Sequence, residues 1–428
     1  MVWRGHGKIR WLALVVACLI SASPFSLVRA QPVHELESEQ AVSAAVEPAT
    51  TIFPSLRIAE RYDTNVFFVP GRNLEDFVTT ISPQLQATHK NQWVKGTVGA
   101  GATSEVYVKN PGLNYVGGNG TLDLDLDGAA SSLLRGLGLR VSDSIVYTPQ
   151  PPAFAAPIGG SQISEAFVQG IQARRANSFT NAALVQASYQ FSSFMGASTT
   201  YSDRRIRFGT PLAIPTGVTQ GGFRDTNFQT LTSGVDLKVS LSDTLSLFHQ
   251  YQKGNISDPE RGDTGFSTQG AFLRWARSIT PTLQGQGEGG FTVISSTGDT
   301  YPTGAASLLW KEEYTTVQLS YSQGVAPSFF AVSTPLLSQA VTGTVRRRIT
   351  EPLSLSLSGS YALNQSIPNR SLVRFESYLI MPSLEYKIGP VFTATLSYTH
   401  SEFRRSFSGQ SFDFDRNMIM VTLLAEWR

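Results

Sequence analysis

Cysteine is almost missing from this chain of 428 residues: the only one is Cys18. It lies in an apolar stretch near the start, so the remainder of the chain can form neither disulfides nor thiolate metal centres. Charge is also scarce. Charged residues make up 15% of the sequence, against roughly 25% in an ordinary soluble chain. After residue 30 no apolar run approaches the ~20 residues that a spanning helix needs. Catalytic spacing is absent as well: the chain contains no GxSxG, no HExxH and no paired metal-ligand motif. These gaps argue against a disulfide-stapled domain, a helical membrane protein and the common hydrolases. No cofactor is expected.

Three composition zones stand out. Residues 1–30 read as a secretory signal, with basic Arg4, Lys8 and Arg10, an apolar core from Trp11 to Ile20, and Ala30 placed for cleavage. A lipoprotein reading centred on Cys18 is the alternative. Residues 31–50 carry Glu35, Glu37, Glu39 and Glu47 with no Lys or Arg. This composition predicts a disordered acidic lead-in on the periplasmic side. Residues 51–428 are near neutral and show no basic stripe, which argues against nucleic acid as a partner.

From residue 51 onward the dominant signal is alternation with period 2, the mark of strands with two unlike faces. Leu122, Leu124 and Leu126 alternate with Asp123, Asp125 and Asp127. Leu353, Leu355 and Leu357 alternate with Ser354, Ser356 and Ser358, and Phe392 to Tyr398 with Thr393 to Thr399. Short turns fall near 90–92, 129–132, 192–193, 240–243, 277–280, 310–313, 350–352 and 387–390. Longer connections lie between them, including 63–75, 148–177 and 402–412. Eight turns and nine loops predict an all-β, up-and-down antiparallel transmembrane barrel of about eighteen strands (sixteen to eighteen) in the bacterial outer membrane. Closure is required there because hydrocarbon leaves an open strand edge unpaired.

The alternating faces also predict a wet interior. Candidate lining residues are Gln186, Gln190, Gln284 and Gln286, with an acidic ladder of Asp123, Asp125 and Asp127 joined by Glu288. Arg57 and Arg61 fall on the inward series of the first strand. Opposed acidic and basic strips tune selectivity in a pore. The loop 148–177 holds Ile163, Phe167 and Ile171 at helical spacing, followed by Arg174 and Arg175 as candidates for a constriction. Aromatics such as Trp93, Tyr107, Tyr147, Tyr251, Trp275, Trp310, Tyr361 and Tyr398 suit interfacial girdles. The final strand, Ile419 to Trp427, presents Trp427 as a candidate signal for the barrel-assembly machinery.

At Tyr62-Asp63-Thr64-Asn65-Val66-Phe67 the chain resembles the outer-membrane β-barrel porin 2 family, whose members are associated with exopolysaccharide secretion. The resemblance implies passage of an exopolysaccharide or capsular polysaccharide, handed over by a periplasmic polysaccharide-export protein, and implies no catalytic residue. Asp63 and Asn65 also suit an Asx-stabilised turn. The other expected contacts are outer-membrane lipid and lipopolysaccharide. Two alternatives stay open. One is a general diffusion porin for small hydrophilic solutes. The other is a barrel-scaffolded adhesin or lipid- or glycan-modifying enzyme, which would draw on a wall group such as His89.

Overall fold

A computed structural model describes residues 49–67, 74–148, 176–211, 225–257, 263–326, 335–367, 369, 373–407 and 410–427. Eighteen strands follow one another along the chain. They are β1 (Ala49–Asp63), β2 (Asp76–Lys90), β3 (Lys95–Tyr107), β4 (Tyr115–Asp125), β5 (Leu137–Thr148), β6 (Ala176–Gln190), β7 (Met195–Pro211), β8 (Asp225–Lys238) and β9 (Asp243–Ser257). The second half comprises β10 (Thr264–Ser278), β11 (Leu283–Ile294), β12 (Thr300–Lys311), β13 (Thr315–Ala326), β14 (Leu336–Arg348), β15 (Leu353–Ser366), β16 (Val373–Ile388), β17 (Phe392–Phe407) and β18 (Gln410–Glu426).

Every strand pairs antiparallel with its neighbours in sequence, and β1 pairs with β18 from Ser55↔Glu426 to Asp63↔Met418. The sheet is therefore a closed barrel of eighteen strands with no free edge. This is the class and the count that the alternation predicted. The first strand begins at Ala49, just inside the segment expected to be the lead-in.

The outward face is apolar. Ile52, Leu85, Leu247, Leu273, Phe291 and Val421 are exposed, as side chains facing hydrocarbon must be in a chain taken by itself. Aromatic residues mark both edges of this band: Trp275, Tyr386 and Trp427 toward the short turns, and Tyr147, Tyr201, Tyr321 and Tyr398 toward the other end. Beyond the second edge the outward side chains become polar, as with Arg205 and Asp203 on β7 and Glu402 and Arg404 on β17. The strands thus extend past the bilayer. The connection expected at 402–412 is almost wholly strand, because β17 runs to Phe407 and β18 starts at Gln410.

The short turns use one device repeatedly. A side-chain oxygen at the turn's start accepts the backbone N–H two or three residues on. Asn91 Oδ1 accepts from Trp93 and Val94 at 2.8 and 2.7 Å. Ser192, Ser240 and Thr280 do the same in their turns. One turn is different: residues Asp127–Leu133 form a short helix, α1. Ala129 of α1 donates to the Trp93 carbonyl at 3.0 Å. Gly128 permits this contact, since a Cβ there would lie 2.1 Å from the Gln92 carbonyl oxygen.

Candidate functional site

The inner wall follows from the register. On β15 the residues Ser354, Ser356, Ser358 and Ser360 face inward and meet Glu385, Ser383, Met381 and Leu379 of β16. Thr393, Thr395 and Ser397 continue the inward series on β17. The hydroxyls bond one another across strands: Ser320 with Thr342 at 2.5 Å, Thr344 with Ser358 at 3.2 Å, and Ser356 with Ser383 at 2.6 Å. From β13 to β17 the middle of the lumen therefore carries a field of hydroxyls, with Met381 and Leu379 beside it and the Arg346–Glu385 pair toward the turns. Each hydroxyl retains lone-pair capacity for a passing solute.

The wall from β8 to β11 is different. Phe248 and Phe272 stack with centroids 5.2 Å apart, and the Arg274 guanidinium sits 4.7 Å above the Phe248 ring. Glu288 pairs with Arg274 at 2.8 Å. The rings lie flat over glycines: a Cβ at Gly254 would meet Phe266 at 2.5 Å, and one at Gly270 would meet Phe272 at 2.6 Å. Glycine leaves the wall without a side chain there, and the aromatic ring covers the exposed backbone. A recess of about 260 Å³ opens along this wall, with Gln186, Thr200, Thr232, Gln250 and Glu288 among its lining residues.

At the end away from the short turns, the inward charges are locked together. The Arg61 guanidinium donates to Glu105 at 3.2 and 3.4 Å and to the Tyr107 hydroxyl at 3.3 Å, while that hydroxyl donates to Glu105 at 2.6 Å. Asp63 accepts from Arg416 of β18 and from the Asn65 backbone N–H. The latter bond is the Asx turn read from the sequence. Thr64 N–H donates to the Asn417 carbonyl, and the Thr64 hydroxyl accepts from Asn417 N–H. The Tyr62–Phe67 motif thus extends the β1–β18 seam beyond the last paired residues.

Outside the strands, Lys109 lies 2.5 Å from Glu75, whose carboxylate also accepts the Tyr62 hydroxyl at 2.5 Å. The hydrogen bond from Lys109, the one from Tyr62 and the Lys109 charge hold the Glu75 carboxyl below its ordinary range. The same bond to Glu75 holds Lys109 above its own.

Several site residues stand differently from the sequence reading. Asp123 and Asp125 face inward opposite Thr97 and Lys95, but Asp127 belongs to α1. Its carboxylate accepts the Leu139 N–H at 2.9 Å and lies 4.0 Å from Arg140. The acidic ladder is therefore two residues long, and Lys95 lies 3.9 Å from Asp125. Glu288 does not join it, because β11 is on another part of the wall and Arg274 claims its carboxylate.

Arg61 is inward but buried in the seam cluster, whereas Arg57 is inward and exposed. Tyr107 also belongs to that cluster and not to a girdle, because its parity on β3 matches Glu105. Gln186, Gln284 and Gln286 lie on inward series. Gln190 shares the parity, but its amide is spent on the turn carbonyls of Ser192 and Met195. Trp427 points outward at the turn end. Arg174, Arg175 and the 163–171 spacing lie outside the described residues. Glu105 and Arg416 were missed because their partners are 44 and 353 positions away. His89 is tied to Thr50 and Asn91 beside a turn, as a structural histidine is.

A closed antiparallel barrel with an apolar outer band, aromatic edges and a polar interior defines an outer-membrane β-barrel protein, and the bacterial outer membrane is its location. No protein-family model matches the chain, and no curated protein sequence matches it. Among solved structures it is similar to the siderophore receptor PirA from Pseudomonas aeruginosa, at 8% identity and TM-score 0.46, over 90% of this chain and 81% of that one. It is also similar to OccK3 (OpdO) from Pseudomonas aeruginosa, at 12% identity and TM-score 0.46, over 88% and 96% of the two chains. The outer membrane protein OpdK from the same organism gives 10% identity and TM-score 0.45, over 88% and 99%. The assignment rests on the barrel's own geometry.

Proposed function

We propose that this protein is an outer-membrane pore for export of an exopolysaccharide or capsular polysaccharide. The observation that carries the reading is the hydroxyl field of β13 to β17, where Ser320 bonds Thr342, Thr344 bonds Ser358 and Ser356 bonds Ser383 along the lumen. Such a surface exchanges hydrogen bonds with a sugar chain without holding it at any one point. The Tyr62–Phe67 resemblance supports the same reading, with a periplasmic export protein delivering the chain.

A second reading is a general diffusion porin. In its favour, Phe248, Phe266 and Phe272 are only 5–8% exposed, so they offer little ring surface for stacking against a sugar. One strain separates the two. In cells lacking the protein, export predicts polysaccharide lost from the surface and retained in the periplasm. An unchanged distribution accompanied by slower uptake of small solutes would overturn export and favour the diffusion porin.

A further inference from the structure

The strands that run toward the short turns repeatedly finish on a base. Lys90 ends β2, Lys238 ends β8, Lys311 ends β12 and Arg348 ends β14, while Lys387 is the last residue but one of β16. Each shares parity with the lumen series of its strand: Lys90 with Thr88 and Gln86, Lys387 with Glu385 and Ser383, Arg348 with Thr344. Placed on β2, β8, β12, β14 and β16, they are spread around the ring. All five are exposed.

Three acids at this end already lie beside bases. Asp125 sits by Lys95, Asp127 by Arg140, and Glu385 by Arg346 at 2.8 Å. Among the described residues, Lys90, Lys238, Lys311 and Lys387 form no ion pair, and Arg348 lies 5.0 Å over the Tyr314 ring. Asp123 and Asp236 are inward acids that likewise form no ion pair, Glu426 shares the inward parity of β18, and Glu312, Glu313 and Glu351 lie in the turns themselves.

Two further observations give the ring meaning. Lys90 is directly opposite Lys95 across β2 and β3, and like charges opposite one another destabilise a sheet. The far end of the lumen, by contrast, neutralises its bases, with Arg61 and Arg416 tied to Glu105 and Asp63. Among the described residues, the unpaired lysines of the lumen series thus stand at the turn-side mouth. Lipid headgroups cannot account for it, because the parity of these side chains faces water inside the barrel.

We infer that the turn-side mouth is an anion-collecting ring and that the chain it admits is acidic, a saccharide bearing carboxylates; this rests on the export reading. Rings of Lys or Arg favour anions in pores, and a charged mouth raises the local concentration of oppositely charged solute. The hydroxyl field beyond the ring then lets a captured chain slide.

Full-length protein in planar bilayers under a KCl gradient tests this. The wild type is expected to prefer chloride. Oligogalacturonate added from the turn side is expected to block current at lower concentration than maltooligosaccharide of equal length. Lys90→Gln, Lys238→Gln, Lys311→Gln and Lys387→Gln together should lower the chloride-to-potassium permeability ratio severalfold and abolish the oligogalacturonate advantage. The four Lys→Arg replacements should keep both. A conducting wild type without anion preference, or a preference that survives the glutamines, overturns the ring while leaving the pore intact. A wild type that carries no current overturns the pore reading and the ring with it.

Discussion

Asp63 of β1 and Arg416 of β18 form a two-pronged ion pair across the seam that closes the barrel, with Arg416 Nε 2.9 Å from Asp63 Oδ1. The pair lies where the ladder between first and last strands gives way to the outer loop. Arg61 approaches the same carboxylate at 3.8 Å, so one acid holds two guanidinium groups. Asp63→Ala leaves Arg61 its Glu105 partner but takes this carboxylate from the part-buried Arg416, and is expected to destabilise the barrel by about 2–3 kcal/mol. Adding Arg416→Met to that variant should recover part of the loss. Urea unfolding of lipid-embedded protein, followed by gel mobility without boiling, measures both. Equal stability of Asp63→Ala and wild type would remove the seam role.

The aromatic wall makes a packing prediction. Phe272 covers Gly270 and Gly290 and stacks on Phe248. Phe272→Ala should cost about 3 kcal/mol and enlarge the recess, raising single-channel conductance. Gly290→Ala acts differently, because its Cβ would meet the Ala271 carbonyl oxygen at 2.1 Å. Backbone must move there, so stability falls without a rise in conductance.

The Glu75–Lys109 contact should respond to acid. The Glu75 carboxyl is depressed in the folded protein, so its contribution is present above the unfolded carboxyl range and is lost as pH falls through the lower, folded value. Lys109 is raised, so its contribution is complete below its ordinary range and lost only in strong alkali. The contact is therefore intact at neutral pH. Carboxyl-carbon NMR in micelles, with Glu75→Gln for assignment, should show a depressed titration that Lys109→Met moves upward. No upward movement would mean that Lys109 does not hold the carboxylate.

Trp427 tests assembly separately from transport. It is exposed on the outward face, and its backbone N–H donates to the Pro54 carbonyl at 3.1 Å. Trp427→Ala keeps that backbone bond. It is expected to slow accumulation of folded barrel in the outer membrane while leaving the conductance of inserted molecules unchanged. Normal accumulation would sink the assembly role.

Much of the barrel was legible because strand parity is a local property. Leu353 to Ser360 separate lipid from water by alternation alone, and the polar turns at Asn91, Ser192, Ser240 and Thr280 carry their own capping side chains. Those signals determined the class of fold, the strand count and the face of most wall residues. Alternation failed at Asp127, where the second residue past the strand end became the start of α1. It failed at Tyr107 because an aromatic near a strand end suggests a girdle until its parity is read against Glu105.

Parity names a face but not a neighbour. Only the closed sheet put Arg61 beside Glu105, Arg416 beside Asp63, Arg274 beside Glu288 and Lys90 opposite Lys95. Those pairings decide which lumen charges cancel and which stay open. The sequence by itself determined a barrel with a wet interior, since period and turn chemistry act within a few residues. The tertiary structure decided the charge pattern of that interior, since register and closure join residues that are distant along the chain.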